Sequence, residues 1–150
     1  MFNFNKLTGA TLNSISRVCG LIKLDFRALS GEIICVHSQS SLLRILQNDR
    51  LVLSSEDLFA PGAKYNAEKN KEFSCDYLDI TLYDDELEQI IDSLIGLKIT
   101  DVKTVGNDLY IVLENNFKVS ILPNTLEKDI ENYRIFIKGD LNSHYVVENT

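Results

Sequence analysis

The stretch Leu94–Leu122, LIGLKITDVKTVGNDLYIVLENNFKVSIL, decides how the whole chain is read. It divides into three strands joined by two tight turns. Leu109, Ile111 and Leu113 alternate, as do Phe117, Val119 and Ile121, so each row occupies one face of a strand. A two-residue loop at Asn115-Asn116 would throw the two rows onto opposite faces. A three-residue loop, Glu114-Asn115-Asn116, sets Leu113 opposite Phe117, Ile111 opposite Val119 and Leu109 opposite Ile121. Register follows the face that must be buried, so the longer loop is expected, with an asparagine in the left-handed conformation. Gly106-Asn107-Asp108 marks the preceding turn. Ile99, Val102 and Val105 recur every three residues, which suits neither strand nor helix. Their β-branched side chains favour a strand carrying a bulge.

A fainter copy of this unit opens the chain. Set without gaps, Leu7 falls on Leu94, Gly9 on Gly96, Leu12 on Ile99, Ile15 on Val102 and Val18 on Val105. The first copy continues through a strand with Ile22, Leu24 and Phe26 alternating, a turn at Ser30-Gly31, and a strand over Glu32–His37. Two short strands, Leu42–Leu46 and Arg50–Leu53, flank Gln47-Asn48-Asp49. The second copy ends alike, with Tyr133–Lys138 and Tyr145–Glu148 around a loop at 139–143. Leu43-Arg44-Ile45 then falls on Tyr133-Arg134-Ile135, and Leu51-Val52-Leu53 on Tyr145-Val146-Val147.

Between the copies, residues 54–59 suggest one helical turn stopped before Pro61. Residues 60–75 are polar and rich in Gly, Pro, Lys and Asn, as a mobile linker is. Beyond them Leu87, Ile90, Ile91 and Leu94 recur at helical spacing. Asp84 stands at the cap, Asp85 and Glu86 lie in the first turn, and Gly96 lies just past the end. The expected fold is therefore α+β and mainly β. It has two similar antiparallel units of about five strands each, packed together, with one helix near 84–95. The first unit covers 1–60, a linker 61–83, and the helix with the second unit 84–150, within one compact domain.

Composition narrows the function. A chain of 150 residues buries about 70% of its unfolded surface, which suffices without disulfides. Cys19, Cys35 and Cys75 are odd in number and lack CxxC spacing, which implies reduced thiols and a cytoplasmic location. The start lacks a signal-peptide plan, and no run approaches a membrane span. The net charge of −7 is uneven: six basic and five acidic residues to position 60, nine and seventeen beyond it. Such a balance argues against phosphate-mediated nucleic-acid binding and permits a basic protein partner.

Asp85, Glu88 and Asp92 form the polar face of the helix and are the candidate surface for that partner, against the plainer reading of a solvated face. Arg44 and Arg134 occupy matching positions in the two copies. Near a pseudo-two-fold axis they could grip an anionic ligand; otherwise each pairs with a nearby carboxylate or lies over apolar surface. Cys35 and His37 share a strand face and supply two ligands of a zinc site. No spacing supplies the third, whether from His144, Cys19 or Cys75, so no metal is expected. A G-x-S-x-G elbow, a calcium loop and a Gly-rich phosphate loop are all missing from the sequence. No cofactor is expected.

The C-terminal segments Glu131-Asn132-Tyr133-Arg134-Ile135-Phe136 and His144-Tyr145-Val146-Val147-Glu148 carry a resemblance. The pattern resembles an uncharacterised group of small bacterial proteins, in which an E-x-W-R-x-F strand precedes an H-x-V-V-E strand. In that group a G-D-L plus N-G hairpin comes before both strands. Here Asn107-Asp108-Leu109 and Asn115-Asn116 stand in the hairpin positions, Tyr133 replaces the usual Trp, and Asn116 the usual Gly. Residues 54–61 are similar to that group's Ser-x-Asp-x-Phe-x-Pro step. The resemblance implies a bacterial source and the two-unit build, and it carries no biochemistry.

Two functions follow as expectations. The first is a non-enzymatic protein-binding module of immunity or inhibitor type, whose acidic 76–92 segment covers a basic partner. The second is a small-ligand-binding or sensory domain with a pocket between the two units. A third, an enzyme, needs titratable groups converging in a cleft. Exposed strand edges add a homodimer to the expected assemblies.

Overall fold

The computed structural model describes residues 2–67 and 72–148. In chain order the strands are β1 (Thr11–Val18), β2 (Leu21–Arg27), β3 (Ile33–Ser38), β4 (Ser41–Gln47), β5 (Arg50–Ser54), β6 (Ile99–Val105), β7 (Asp108–Leu113), β8 (Phe117–Pro123), β9 (Glu131–Ile137) and β10 (Tyr145–Glu148). A 3-10 helix at Ser55–Phe59 follows β5, and the helix α1 (Leu82–Leu94) precedes β6. The protein is α+β and mainly β: among the described residues it forms two five-stranded antiparallel sheets and one α-helix. The helix is too short and polar to cross a membrane.

The sheets are not the sequence halves. One runs β1-β2-β3-β9-β10 and the other β5-β4-β8-β7-β6. Each half places a three-strand meander in one sheet and sends its final hairpin into the other. Exchanging the halves therefore leaves the strand order unchanged.

The pairing shows the same symmetry atom by atom. Gly9 N donates to Ile99 O and Gly96 N to Leu12 O, both at 2.8 Å. Leu12 N donates to Leu97 O at 2.9 Å and Ile99 N to Ala10 O at 2.8 Å. A pseudo-two-fold axis thus passes beside the Thr11–Lys98 bridge. Gly9 and Gly96 hold φ of +83° and +91°, a region glycine enters without Cβ strain. The ungapped sequence match over this segment is the match the backbone makes.

The bulge expected in the strand carrying Ile99, Val102 and Val105 exists, between Ile99 and Asp101, and its counterpart lies between Leu12 and Ser14. The hairpin register is also as expected, with Leu109 opposite Ile121 and Ile111 opposite Val119. Asn115 and Asn116 both take left-handed φ, near +60°, where one was expected. Leu43-Arg44-Ile45 matches Tyr133-Arg134-Ile135, since Ile45 pairs Val119 as Ile135 pairs Val36. The last strand departs from the expected match by two residues. Leu53 lies opposite Ile45, whereas Tyr145, not Val147, lies opposite Ile135. The two-residue turn Asn48-Asp49 and the longer loop at 138–144 deliver their strands at different offsets, which apolar likeness alone does not reveal.

Between the sheets lies one apolar layer that includes Leu24, Phe26, Val36, Ile45, Ile111 and Val119, all buried. Each such side chain stabilises the fold by about 1.5–3 kcal/mol. The helix adds Tyr83 and Leu94 to this layer, with Leu87 and Ile90 packed at its margin. Its cap is Thr81 rather than Asp84. Thr81 accepts from Asp84 N, and the Asp84 carboxylate accepts from Thr81 N, a reciprocal capping box.

Residues 61–67 and 72–81 are turns and bends, closed at their base by the Pro61–Thr81 bridge. Gly62 N donates to Ile80 O at 2.7 Å, and Leu82 N to Ala60 O at 2.9 Å. Positions 68–71 of the expected linker lie outside the described residues.

Candidate binding surface and cleft

The segment leading into α1 is held by one side chain. Arg17, on β1, is buried, with its side chain 4% exposed. An arginine carries five N–H donors, and this one uses all of them. Nε and Nη2 donate to Asp84 Oδ1 and Oδ2, each at 2.8 Å. Nη2 also donates to Tyr77 O at 2.8 Å, and Nη1 to the carbonyls of Cys19 and Cys75. Burial resists ionisation of Asp84, yet the guanidinium and Thr81 hold its carboxyl below the usual range; Asp84 in turn raises Arg17. Two carbonyls of the 72–81 segment are thereby fixed to the sheet.

That clamp turns four consecutive residues outward, Asp76-Tyr77-Leu78-Asp79. Tyr77 and Leu78 are 59% and 60% exposed, and Leu82 in the first turn of α1 is exposed as well. Asp79 takes a left-handed φ of +71°, the kink that lets the chain turn into the helix. The result is an aromatic and two leucines fringed by carboxylates.

The three helix acids separate by role. Asp85 Oδ2 accepts from Ala63 N at 2.6 Å, so this carboxylate fastens the loop. Glu88 pairs with Lys64 at 3.2 Å on the open surface, and Asp92 is exposed. The expected partner surface thus keeps Glu88 and Asp92 on its outer side and gives Asp85 an internal task. Glu86, one residue on, is half-buried beside Asp57 of the 3-10 helix and accepts from Ser54 N at 3.2 Å. Burial and the hydrogen bond to Asp57 push its carboxyl up to about 8.

Arg44 and Arg134 do hold equivalent positions, but the structure does not bring them together. Their neighbours Leu43, Ile45, Tyr133 and Ile135 point into the layer between the sheets, so the arginines project from the two outer faces. Arg134 is occupied by Glu131, with Nε and Nη2 each 2.6 Å from a carboxylate oxygen, and reaches His144 Nδ1 at 3.1 Å. The space between the two sheets is filled by side chains.

His37, Phe136 and His144 line up on the outer face of the first sheet, His37 edge-on to Phe136 and His144 stacked upon it at 4.5 Å. Burial, then the nearby Lys23 charge, lowers the His37 pKa. The Cys35 thiol is pushed up to about 12, by burial first and then by Asp25, and stays protonated. No group of three metal-ligating side chains forms among the described residues.

A cleft of about 640 Å³ opens where the chain passes between sheets. Its floor is the β3–β4 crossover, Ser38–Ser41, and one wall comes from the second half through Asn124, Thr125, Glu127 and Ile130. The turn at 18–22 and the 3-10 helix, with Glu56 and the exposed Phe59, complete it. Arg17 and the cleft both escape sequence reading. A lone strand arginine gives no hint of an acid 67 residues away. Serines at a crossover read as an ordinary turn.

Fold and surfaces define a two-sheet antiparallel β protein with exchanged hairpins, a clamped acidic segment and one end cleft. No protein-family model matches the chain, and no significant match was found among curated proteins or solved structures.

Proposed function

We propose that the chain is a non-enzymatic protein-binding module of immunity or inhibitor type, working in the cytoplasm and covering a basic partner with its 76–92 segment. The observation that carries this reading is the Arg17 clamp, which fixes two carbonyls of the segment and presents Tyr77 and Leu78 beside Asp76 and Asp79. A preordered loop binds without first losing its conformational freedom. Tyrosine supplies contact area, and the surrounding carboxylates steer a basic partner toward it. Free thiols at Cys19, Cys35 and Cys75 fit a reducing compartment.

The test is capture of the partner from the native host by the tagged chain. Reversing Asp76, Asp79, Glu88 and Asp92 to lysine should abolish capture, and Tyr77→Ala should weaken it at least tenfold. Asp85 is left intact because it holds the loop. Arg44→Glu, on β4 and outside the 76–92 segment, serves as control. Capture unchanged by charge reversal would reject this surface.

A second reading, a ligand-binding domain with its pocket between the halves, draws support from the end cleft rather than from the two arginines.

A further inference from the structure

The margin strand β6 carries a pattern that complements itself. Of the four strands at sheet margins, β1, β5, β6 and β10, it alone holds side chains of both signs, Asp101 and Lys103. Thr100-Asp101-Val102-Lys103-Thr104 has a threonine at each end, opposite charges inside them and a valine at the centre.

This margin is open. β6 ends its sheet and pairs with β7 on one side. Ile99 N and O are bonded to Ala10 and Gly9 of the first half, so the free length begins at Thr100. Thr100, Asp101, Lys103, Thr104 and Val105 are all exposed, and Lys103 makes no ion pair among the described residues. The counterpart strand differs. Arg17 on β1 corresponds to Thr104 and is covered by the segment that carries Cys75, Tyr77 and Asp84.

The backbone of β6 has groups to offer. The turn Gly106-Asn107 sets Val105 opposite Asp108, with Gly106 at a φ of +59°. In a two-residue hairpin the flanking pair exchanges backbone hydrogen bonds, and so does every second pair behind it. Here those are Lys103–Tyr110 and Asp101–Val112. Val102 and Thr104 therefore turn their N–H and C=O toward the free margin. Val102 N donates to Asp101 Oδ1 at 2.9 Å, so a neighbouring side chain stands where another strand would.

Two such margins fit each other in one antiparallel register. Centred on Val102, it places Asp101 of each copy opposite Lys103 of the other, with both side chains on the outer face. Sliding by two residues sets Lys103 against Lys103 or Asp101 against Asp101, which repel. A contact of this isologous kind closes at two chains.

We propose that β6 is a self-association edge, on which two copies of the chain pair antiparallel about Val102. Val102 N of each copy donates to Val102 O of the other, and the Asp101 carboxylate leaves that amide for the second copy's Lys103. Five residues a side fall well short of the roughly 800 Å² per partner of a standard interface, so the pair is weak and forms as concentration rises. β6 lies outside the 76–92 segment, and its pairing does not rest on the protein-binding reading.

The experiment is sedimentation equilibrium of the intact chain over a wide concentration range, with Asp101→Lys and Lys103→Asp prepared separately and then mixed. The parent should show a reversible monomer–dimer equilibrium that weakens with added salt. Each variant alone opposes like charges and should associate roughly tenfold more weakly, or less still. Their equal mixture restores both opposite-charge pairs and should associate at the parent's strength, which also shows both variants folded. Amide exchange at Val102 and Thr104 of the parent should slow at high concentration and quicken on dilution. A parent that stays monomeric throughout overturns the proposal and makes the Asp101 cap a guard against edge pairing. So does a dimer that neither substitution weakens, as interlocked hairpins would give, or a mixture that fails to associate while both variants keep the parent's dispersed spectrum.

Discussion

Arg17 satisfies three backbone carbonyls and one carboxylate from a single buried position. Arg17→Ala strips all of them of their partner and leaves the Asp84 carboxylate without its countercharge. Breaking such a pair on one side costs about 3–5 kcal/mol, so the urea midpoint of Arg17→Ala should fall sharply. Arg17→Lys supplies a point charge without the planar fork and should recover only a minor part. Glu86 makes a second prediction, in the opposite sense. Its carboxyl ionises near the ordinary 4.5 when unfolded and keeps its proton to about 8 in the fold. Between those values the native state binds the extra proton, so its contribution to stability is lost as pH rises through that window. Glu86→Gln keeps the contacts without the ionisation. Discounted for solvent screening, it should gain about 1–2 kcal/mol over the parent at pH 9 and nothing at pH 4. Thermal melts from pH 4 to 9 read the difference, and parallel profiles would contradict the assignment.

At the scale of elements, the loop base between Ala60 and Leu82 is the tightest joint. A Cβ built on Gly62 would lie 2.5 Å from Thr81 O and 2.7 Å from Asp85 Oδ2. The first of these is backbone inside the capping box and cannot swing aside. Gly62→Ala should therefore fray the start of α1 and lower the melting temperature, with faster amide exchange at residues 82–86. What the sequence revealed at this scale was what lies along one strand or one turn. Alternation at Leu109–Leu113 and Phe117–Ile121 fixed the hairpin, because only one register buries both rows. The spacing of Ile99, Val102 and Val105 marked the bulge. Alternation does not name a strand's neighbour, so the passage of β4–β5 and β9–β10 into the opposite sheets stayed hidden. The Leu43-Arg44-Ile45 pattern did carry the direction of Arg44, since a residue between two core positions must face outward. The pairing of Asp84 with Arg17 left no local trace.

For the whole molecule, the exchanged hairpins make each half incomplete. A fragment of residues 1–67 retains β1–β5, but β3 lacks β9 and β4 lacks β8. It should give a collapsed, poorly dispersed NMR spectrum, and adding the 72–150 fragment should restore the native one. A well-dispersed spectrum from 1–67 alone would contradict this. Pairings so distant in sequence also predict refolding on the millisecond-to-second scale, measurable by stopped-flow fluorescence of the tyrosines.

The same exchange bears on how the protein is made. While a nascent chain is still emerging from its ribosome, the third strand of its leading sheet waits with a bare edge until β9 is translated. On a crowded polysome a neighbouring chain's closing hairpin can reach that edge first. Interlocked pairs are the natural misassembly of this architecture, and slowing translation of the codons for residues 121–150 should increase them.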